Sequence, residues 1–312
     1  MSKPFLTYEQ QIDKLKNDKN LIIKDETYAI EKLKQIGYFK LISGYKHLFK
    51  NKTTKKYNDS VCFEDVFNLY CFDETLREIN LRYLLKAEQQ LKSMISYYFC
   101  EKYGDSQLAY LEKTNYNYTS CKNKNDIEKL VRILENYVTK ETDYHYINHT
   151  KNKHKNLPLW VLINALTFGN ISKMYSLLPQ NLQICISKNY EFLNEKQLGQ
   201  ITKVLTKFRN ACAHGERLFS YKTVDSIPDL LIHKKLNIPQ KGNEYIYGKK
   251  DLYAVVISLK YLLTNDLFKE YKRDLLALIN PYVKTSSISE KEFLNEMGFP
   301  ENWNTISRFR KL

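Results

Sequence analysis

Two side chains near the middle of this 312-residue sequence carry the chemistry to hold a phosphate and move a proton. Arg209 and His214 stand with four residues between them in Lys207-Phe208-Arg209-Asn210-Ala211-Cys212-Ala213-His214-Gly215. A guanidinium is planar, stays charged and offers a fork of donors that matches phosphate oxygens. It can stabilise the negative charge that grows on a pentacoordinate phosphorus. An imidazole titrates near neutrality, so it can take a proton from an attacking oxygen or return one to a leaving oxygen. RNA brings its own nucleophile, the 2′-hydroxyl, so such a pair needs neither metal nor cofactor. Asn210 could orient the imidazole or bind a phosphate oxygen. The spacing taken alone is common in basic proteins and reads better as an ordinary surface pair.

The element that must position these residues is a helix. Asn194-Glu195-Lys196-Gln197 resembles a capping box, and the apolar periodicity runs from there to about Ala213, with Gly215 just past the end. Leu198, Ile201, Val204, Leu205, Phe208, Ala211 and Cys212 form its core stripe. On an ideal helix Arg209 and His214 lie roughly 140° apart, so they do not point at one spot. The arc between them carries Gly199, Thr202, Thr206, Asn210 and Ala213, all small or short. We expect a second copy of the helix to dock on this face in a two-fold dimer, bringing two Arg–His pairs into one cleft. The alternative is that a helix of the same chain covers it.

Other elements frame this helix. Thr7 is a candidate cap for a helix bearing Ile12 and Leu15, and Asp25-Glu26-Thr27 opens another that Gly37 ends. Tyr38 to Phe49 mixes aromatics with lysines. It reads either as a base-stacking surface or, preferentially, as a helix with its aromatics in the core. Residues 51–60 read as an exposed loop. Val66 to Tyr98 recur at helical spacing, giving one long helix or two with a bend, ended by Gly104. Glu88 lies there among Lys86, Gln89, Gln90 and Lys92, a solvated face from which it could support the site. Residues 113–126 read as a polar loop. Leu157 to Gly169 reads as one buried helix that starts at Pro158 and ends at Gly169.

Composition bounds the class of protein. Hydrophobic residues make up 43%, enough for a core, while only 9 glycines and 7 prolines favour helices over turn-rich β folds. The formal charge of +14 favours anionic partners, nucleic acid above all, although a Lys-, Asn-, Ile- and Tyr-rich composition also produces it. Six scattered cysteines, without a CxxC pair, argue against a zinc ribbon or a redox pair. His145 and His149 have metal-compatible spacing, but no cysteine or carboxylate completes a site, so no metal is expected. The N-terminus lacks a signal-peptide core and no apolar run spans a bilayer, so we expect a cytoplasmic protein with reduced thiols and no membrane association. The best candidates for RNA contacts are Lys151, Lys153 and Lys155, followed by Lys40 and Lys46.

In context the motif is far more specific. Arg209-Asn210-Ala211-Cys212-Ala213-His214 followed by Arg217-Leu218-Phe219 resembles the terminal signature of the abortive-infection AbiD/AbiF family, a branch of the HEPN superfamily. Ile36-Gly37-Tyr38-Phe39-Lys40-Leu41-Ile42-Ser43-Gly44-Tyr45 resembles that family's N-terminal segment. Phe63-Glu64-Asp65-Val66-Phe67-Asn68-Leu69-Tyr70-Cys71-Phe72-Asp73-Glu74-Thr75-Leu76-Arg77 resembles its LYxFDxxLR helix. Leu157-Pro158-Leu159-Trp160 with Leu166-Thr167-Phe168-Gly169-Asn170-Ile171-Ser172 resembles a fourth segment, and the order agrees over residues 5–220. Many relatives carry a second histidine where Gly215 stands and an aromatic–Asn pair where Phe219-Ser220 stand.

The resemblance implies an all-α, HEPN-type helical bundle. The expected division is an N-terminal helical region (1–55), a core bearing the motif (56–222) and a C-terminal helical extension (223–312). It also implies a phage-defence endoribonuclease that cuts RNA by 2′-hydroxyl attack, with paired motifs at a homodimer interface and association with a structured RNA. Arg209 and His214 carry over as catalytic residues and Asn210 as supporting. Two other readings fit the same residues. One is a non-catalytic RNA-binding module, with salt-sensitive binding and no turnover. The other is a toxin neutralised by a protein antitoxin.

Overall fold

The structure is a computed structural model and describes residues 4–309. It is all-α, with one minimal β-ladder near the C-terminal third. Thr7 opens α1 (Tyr8–Asp13) with a capping box shared with Gln10, and Asp25 caps α2 (Glu26–Ile36) by accepting from the Tyr28 amide at 2.9 Å. Residues 39–49 form a wide π-helical turn, Phe39–Ser43, and a tight 3-10 turn, Lys46–Phe49. The core reading of this stretch holds for its buried residues. Leu41, Ile42, Tyr45 and Phe49 are buried, whereas Phe39 is 83% exposed and Lys40 lies beside it in solvent.

The spine is α3 (Phe63–Tyr103), a single unbroken helix of 41 residues, closed by Gly104 at φ +86°. It is buried on several sides, so its apolar residues do not form one stripe. Next come α4 (Gln107–Leu111), α5 (Cys121–Thr139) and α6 (His145–His154). The expected polar loop over 113–126 is shorter than expected. Ser120 caps α5, and Tyr116 is buried with its hydroxyl donating to the Tyr110 carbonyl at 2.8 Å.

The expected helix from Leu157 to Gly169 is instead broken in two. α7 (Leu159–Leu162) runs into a tight turn, Ile163–Ala165, and α8 (Phe168–Leu177) starts afresh. The physical reason lies in two polar side chains. Asn164 donates to the Trp160 and Val161 carbonyls, and Thr167 caps the new helix by accepting from the Asn170 amide at 3.2 Å. Gly169 therefore sits in the first turn of a helix. α9 (Gln180–Ser187) leads to α10 (Glu195–Ala213), which packs against α3, α8 and α9.

The C-terminal part contains α11 (Leu231–Lys235), a hairpin of β1 (Gln240–Lys241) and β2 (Glu244–Tyr245), α12 (Leu252–Leu262), α13 (Asn265–Thr285) and α14 (Glu290–Met297). Every residue of α12 is buried, and α12 packs against α10, α3 and α13. α13 lies along α3, where the Tyr271 hydroxyl donates to Asn80 at 2.7 Å and the Tyr83 hydroxyl to Asp274 at 2.8 Å. No helix among the described residues is long and apolar enough to cross a membrane.

Candidate functional site

α10 presents Arg209 toward α3. The guanidinium is partly exposed, and its Nε donates to Glu88 Oε2 at 3.3 Å. The second Glu88 oxygen lies 2.8 Å from Lys92 Nζ. Lys86 and Gln89 are exposed as expected, but Glu88 is 3% and Lys92 6% exposed, because α7 and the turn after it pack against α3. Lys92 also reaches the Asn164 carbonyl. A buried carboxylate held between two cations fixes the guanidinium, since losing one partner strands the other charge.

His214 occupies the other side of the helix end. It is exposed, and its amide donates to the Asn210 carbonyl at 2.9 Å. The Gly215 amide then reaches the Cys212 carbonyl and the Glu216 amide the Ala211 carbonyl, a Schellman closure. That closure needs a left-handed residue, and Gly215 supplies it at φ +65°. Asn210 is exposed beside it. Cys212, inside the motif, is buried, and burial pushes its thiol up to about 12, which leaves it unsuited as a nucleophile.

The loop after the motif is clamped. Asp73 on α3 is fully buried and accepts from the Tyr45 hydroxyl (2.7 Å), Arg77 (2.9 Å) and the Leu218 and Phe219 amides (3.0 and 2.7 Å). Burial pushes this carboxyl up, while the hydroxyl, the guanidinium and the two amides pull it down. All four partners are donors, so the ionised, acceptor-only form satisfies the geometry. Arg77 also reaches the Glu216 carbonyl, and Arg217 bonds the Gly44 carbonyl. In the sequence Asp73 and Arg77 stand out only as members of the LYxFDxxLR segment. What identifies them as a clamp is the distant backbone they bind.

His214, Phe39, Lys40, Arg217, Tyr221 and Lys222 line a cleft of about 610 Å³, which Glu216 also borders. Arg209 does not line it, so this cleft holds only one of the two motif side chains. The expected small face is largely covered from within the chain. Tyr175 of α8 lies against Gly199, Thr206 sits over Gly169 and Phe168 of the same helix, and Thr202 is buried. This corrects the docking surface at its N-terminal end. Only Asn210 and Ala213 of that face stay exposed.

The candidate lysines are scattered. Lys151 Nζ donates to the Tyr137 and Lys140 carbonyls, closing the C-terminus of α5. Lys153 and Lys155 are exposed at the end of α6, and Lys46 is partly buried. His145 and His149 stack with ring centroids 6.2 Å apart, and no metal-compatible cluster of three ligands forms among the described residues.

The family described as Abi-like protein matches residues 31–220, well over half of the chain. The chain belongs to the Abi-like protein family. No curated protein and no solved structure gives a significant match. Membership points to abortive infection, a defence against phage. The matched span of this Abi-like protein starts in α2 and ends just after the Phe219 clamp. It thus includes Tyr45, Asp73, Glu88 and the whole motif, and leaves α11 to α14 outside.

Proposed function

We propose that this Abi-like protein is a metal-independent endoribonuclease of phage defence, in which Arg209 stabilises the charged phosphorane and His214 transfers the proton. Asn210, exposed between them, supports the imidazole or the phosphate. The observation that carries this reading is the arrangement at the end of α10. The backbone of an exposed histidine is fixed by a glycine-dependent cap, and a partly exposed guanidinium is fixed by buried Glu88. These two groups face different sides of one helix, so we assign the complete site to two copies of the chain meeting at Asn210 and Ala213. The +14 charge suits an RNA substrate or an associated structured RNA.

The test is cleavage of single-stranded and structured RNA in the presence of EDTA, with the wild type and with Arg209→Ala and His214→Ala. We expect cleavage by the wild type, products ending in a cyclic phosphate, and a loss of at least 100-fold in each variant, as for removal of a general acid–base or a charge-stabilising group. Undiminished cleavage by both variants would remove these residues from the mechanism.

A further inference from the structure

The geometry points to a track for single-stranded RNA that starts in the His214 cleft and continues onto the C-terminal extension. It rests on the ribonuclease reading for where the strand is cut; that the strand binds stands on its own observations.

The first observation is Phe39. Its ring is 83% exposed and lines the same cleft as His214, with Lys40 beside it. Its neighbours Leu41 and Ile42 are buried, and the π-helical turn over Phe39–Ser43 carries Phe39 and Lys40 on its exposed side. The Lys40 amine lies against the motif loop, 3.2 Å from where a side chain on Gly215 would begin. An aromatic face beside an ammonium is how proteins hold a base and its phosphate without reading sequence.

The second observation is continuity. Lys222 lines both the His214 cleft and a neighbouring one of about 690 Å³, which is bordered by Gln200 of α10, Ser226, Lys241, Asn243 and Lys250. Gln200, Ser226 and Lys250 line a further recess beyond it. Three openings joined by shared residues make one groove, which suits a chain-like ligand better than a compact one. Lys40, Lys222, Lys241 and Lys250 are exposed along it. Asp229 and Glu244 also border it, though Asp229 is paired with Lys249. The groove floor is anchored, because Lys203 and Lys207 on α10 both hold Asp225 and keep its carboxyl down at about 2.

Pyrimidine and purine rings would therefore stack on Phe39, and the phosphates that follow would pass Lys222 toward Lys250. Residues beyond the family match would in this way set how the substrate strand is held.

The experiment measures binding of a fluorescent single-stranded 2′-O-methyl oligouridine, which lacks a free 2′-hydroxyl and so reports binding without cleavage. Phe39→Ala should weaken it roughly tenfold by loss of one stacked base. Lys222→Glu and Lys250→Glu should each weaken it and lower the slope of log affinity against log salt by about 0.7. Lys269→Glu, on α13 and outside the groove, makes the same charge change and should have a smaller effect. Thermal unfolding of each variant confirms that the fold is kept. Groove variants that bind like the wild type, or no worse than Lys269→Glu, overturn the track even if Arg209→Ala and His214→Ala abolish cleavage. Conversely, groove-dependent binding in a protein that never cleaves RNA upholds the track and sinks the ribonuclease reading.

Discussion

At the scale of single residues, the candidate site is held by charges that are out of water. Glu88 joins Lys92 to Arg209, and Asp73 joins Arg77 to the backbone that follows the motif. Such groups are worth little on a surface and matter greatly when buried, because an unpaired buried charge is costly. Asp73→Ala would strand the Arg77 guanidinium and leave the Leu218 and Phe219 amides without an acceptor. We expect a loss of about 3–5 kcal/mol, read as a lower urea midpoint at unchanged slope. A loss under 1 kcal/mol would mean that water replaces the carboxylate and that the clamp is not structural.

At the scale of elements, caps and side-chain ties decide where helices stop and how they meet. The Asn164–Thr167 break frees α8 to lie on α10, and the Gly215 closure sets the exit of the motif helix. In the C-terminal part, His233 plays the tying role. It is fully buried, accepts at Nδ1 from the Leu230 amide at 3.1 Å, and lies 2.9 Å from the Gly248 carbonyl at Nε2. This geometry fits a neutral imidazole with its proton on Nε2. Burial, opposed by the Gly248 and Leu230 backbone contacts, holds the imidazole below its ordinary value. The unfolded chain therefore takes up a proton at a higher pH than the folded one. The stability that this histidine contributes is fully present above about pH 6.5 and declines as the pH falls below it. Denaturation at pH 7 and pH 5 should show the wild type losing more stability than His233→Asn over that interval. Parallel losses would show that the imidazole is not the group responsible.

At the scale of the whole molecule, the segment outside the family match is part of the core. α12 is buried along its entire length between α10 and α13, and α13 covers α3 through the Tyr271–Asn80 and Tyr83–Asp274 bonds. A chain ending at residue 222 would expose those apolar surfaces on α3 and α10. It should lose its cooperative thermal transition and bind a hydrophobic dye, although it keeps Arg209 and His214. A sharp transition in the shortened chain would show that residues 4–222 fold alone.

Local signals in the chain account for much of this architecture. Scarce glycine and proline with helical periodicity gave the all-α class. The Asn194 cap and Gly215 bounded the motif helix, and four ordered segments pointed to the family. Those signals are local, so they survive without knowledge of the neighbours. Only the tertiary structure decided that Glu88 is buried beside Arg209, that Asp73 grips the backbone at Leu218 and Phe219, and that α8 covers most of the small face. The same holds for Phe39, which is turned out while its aromatic neighbours are turned in. Burial is set by which elements meet across long stretches of chain, and a charged or aromatic residue carries no mark of which side will be covered.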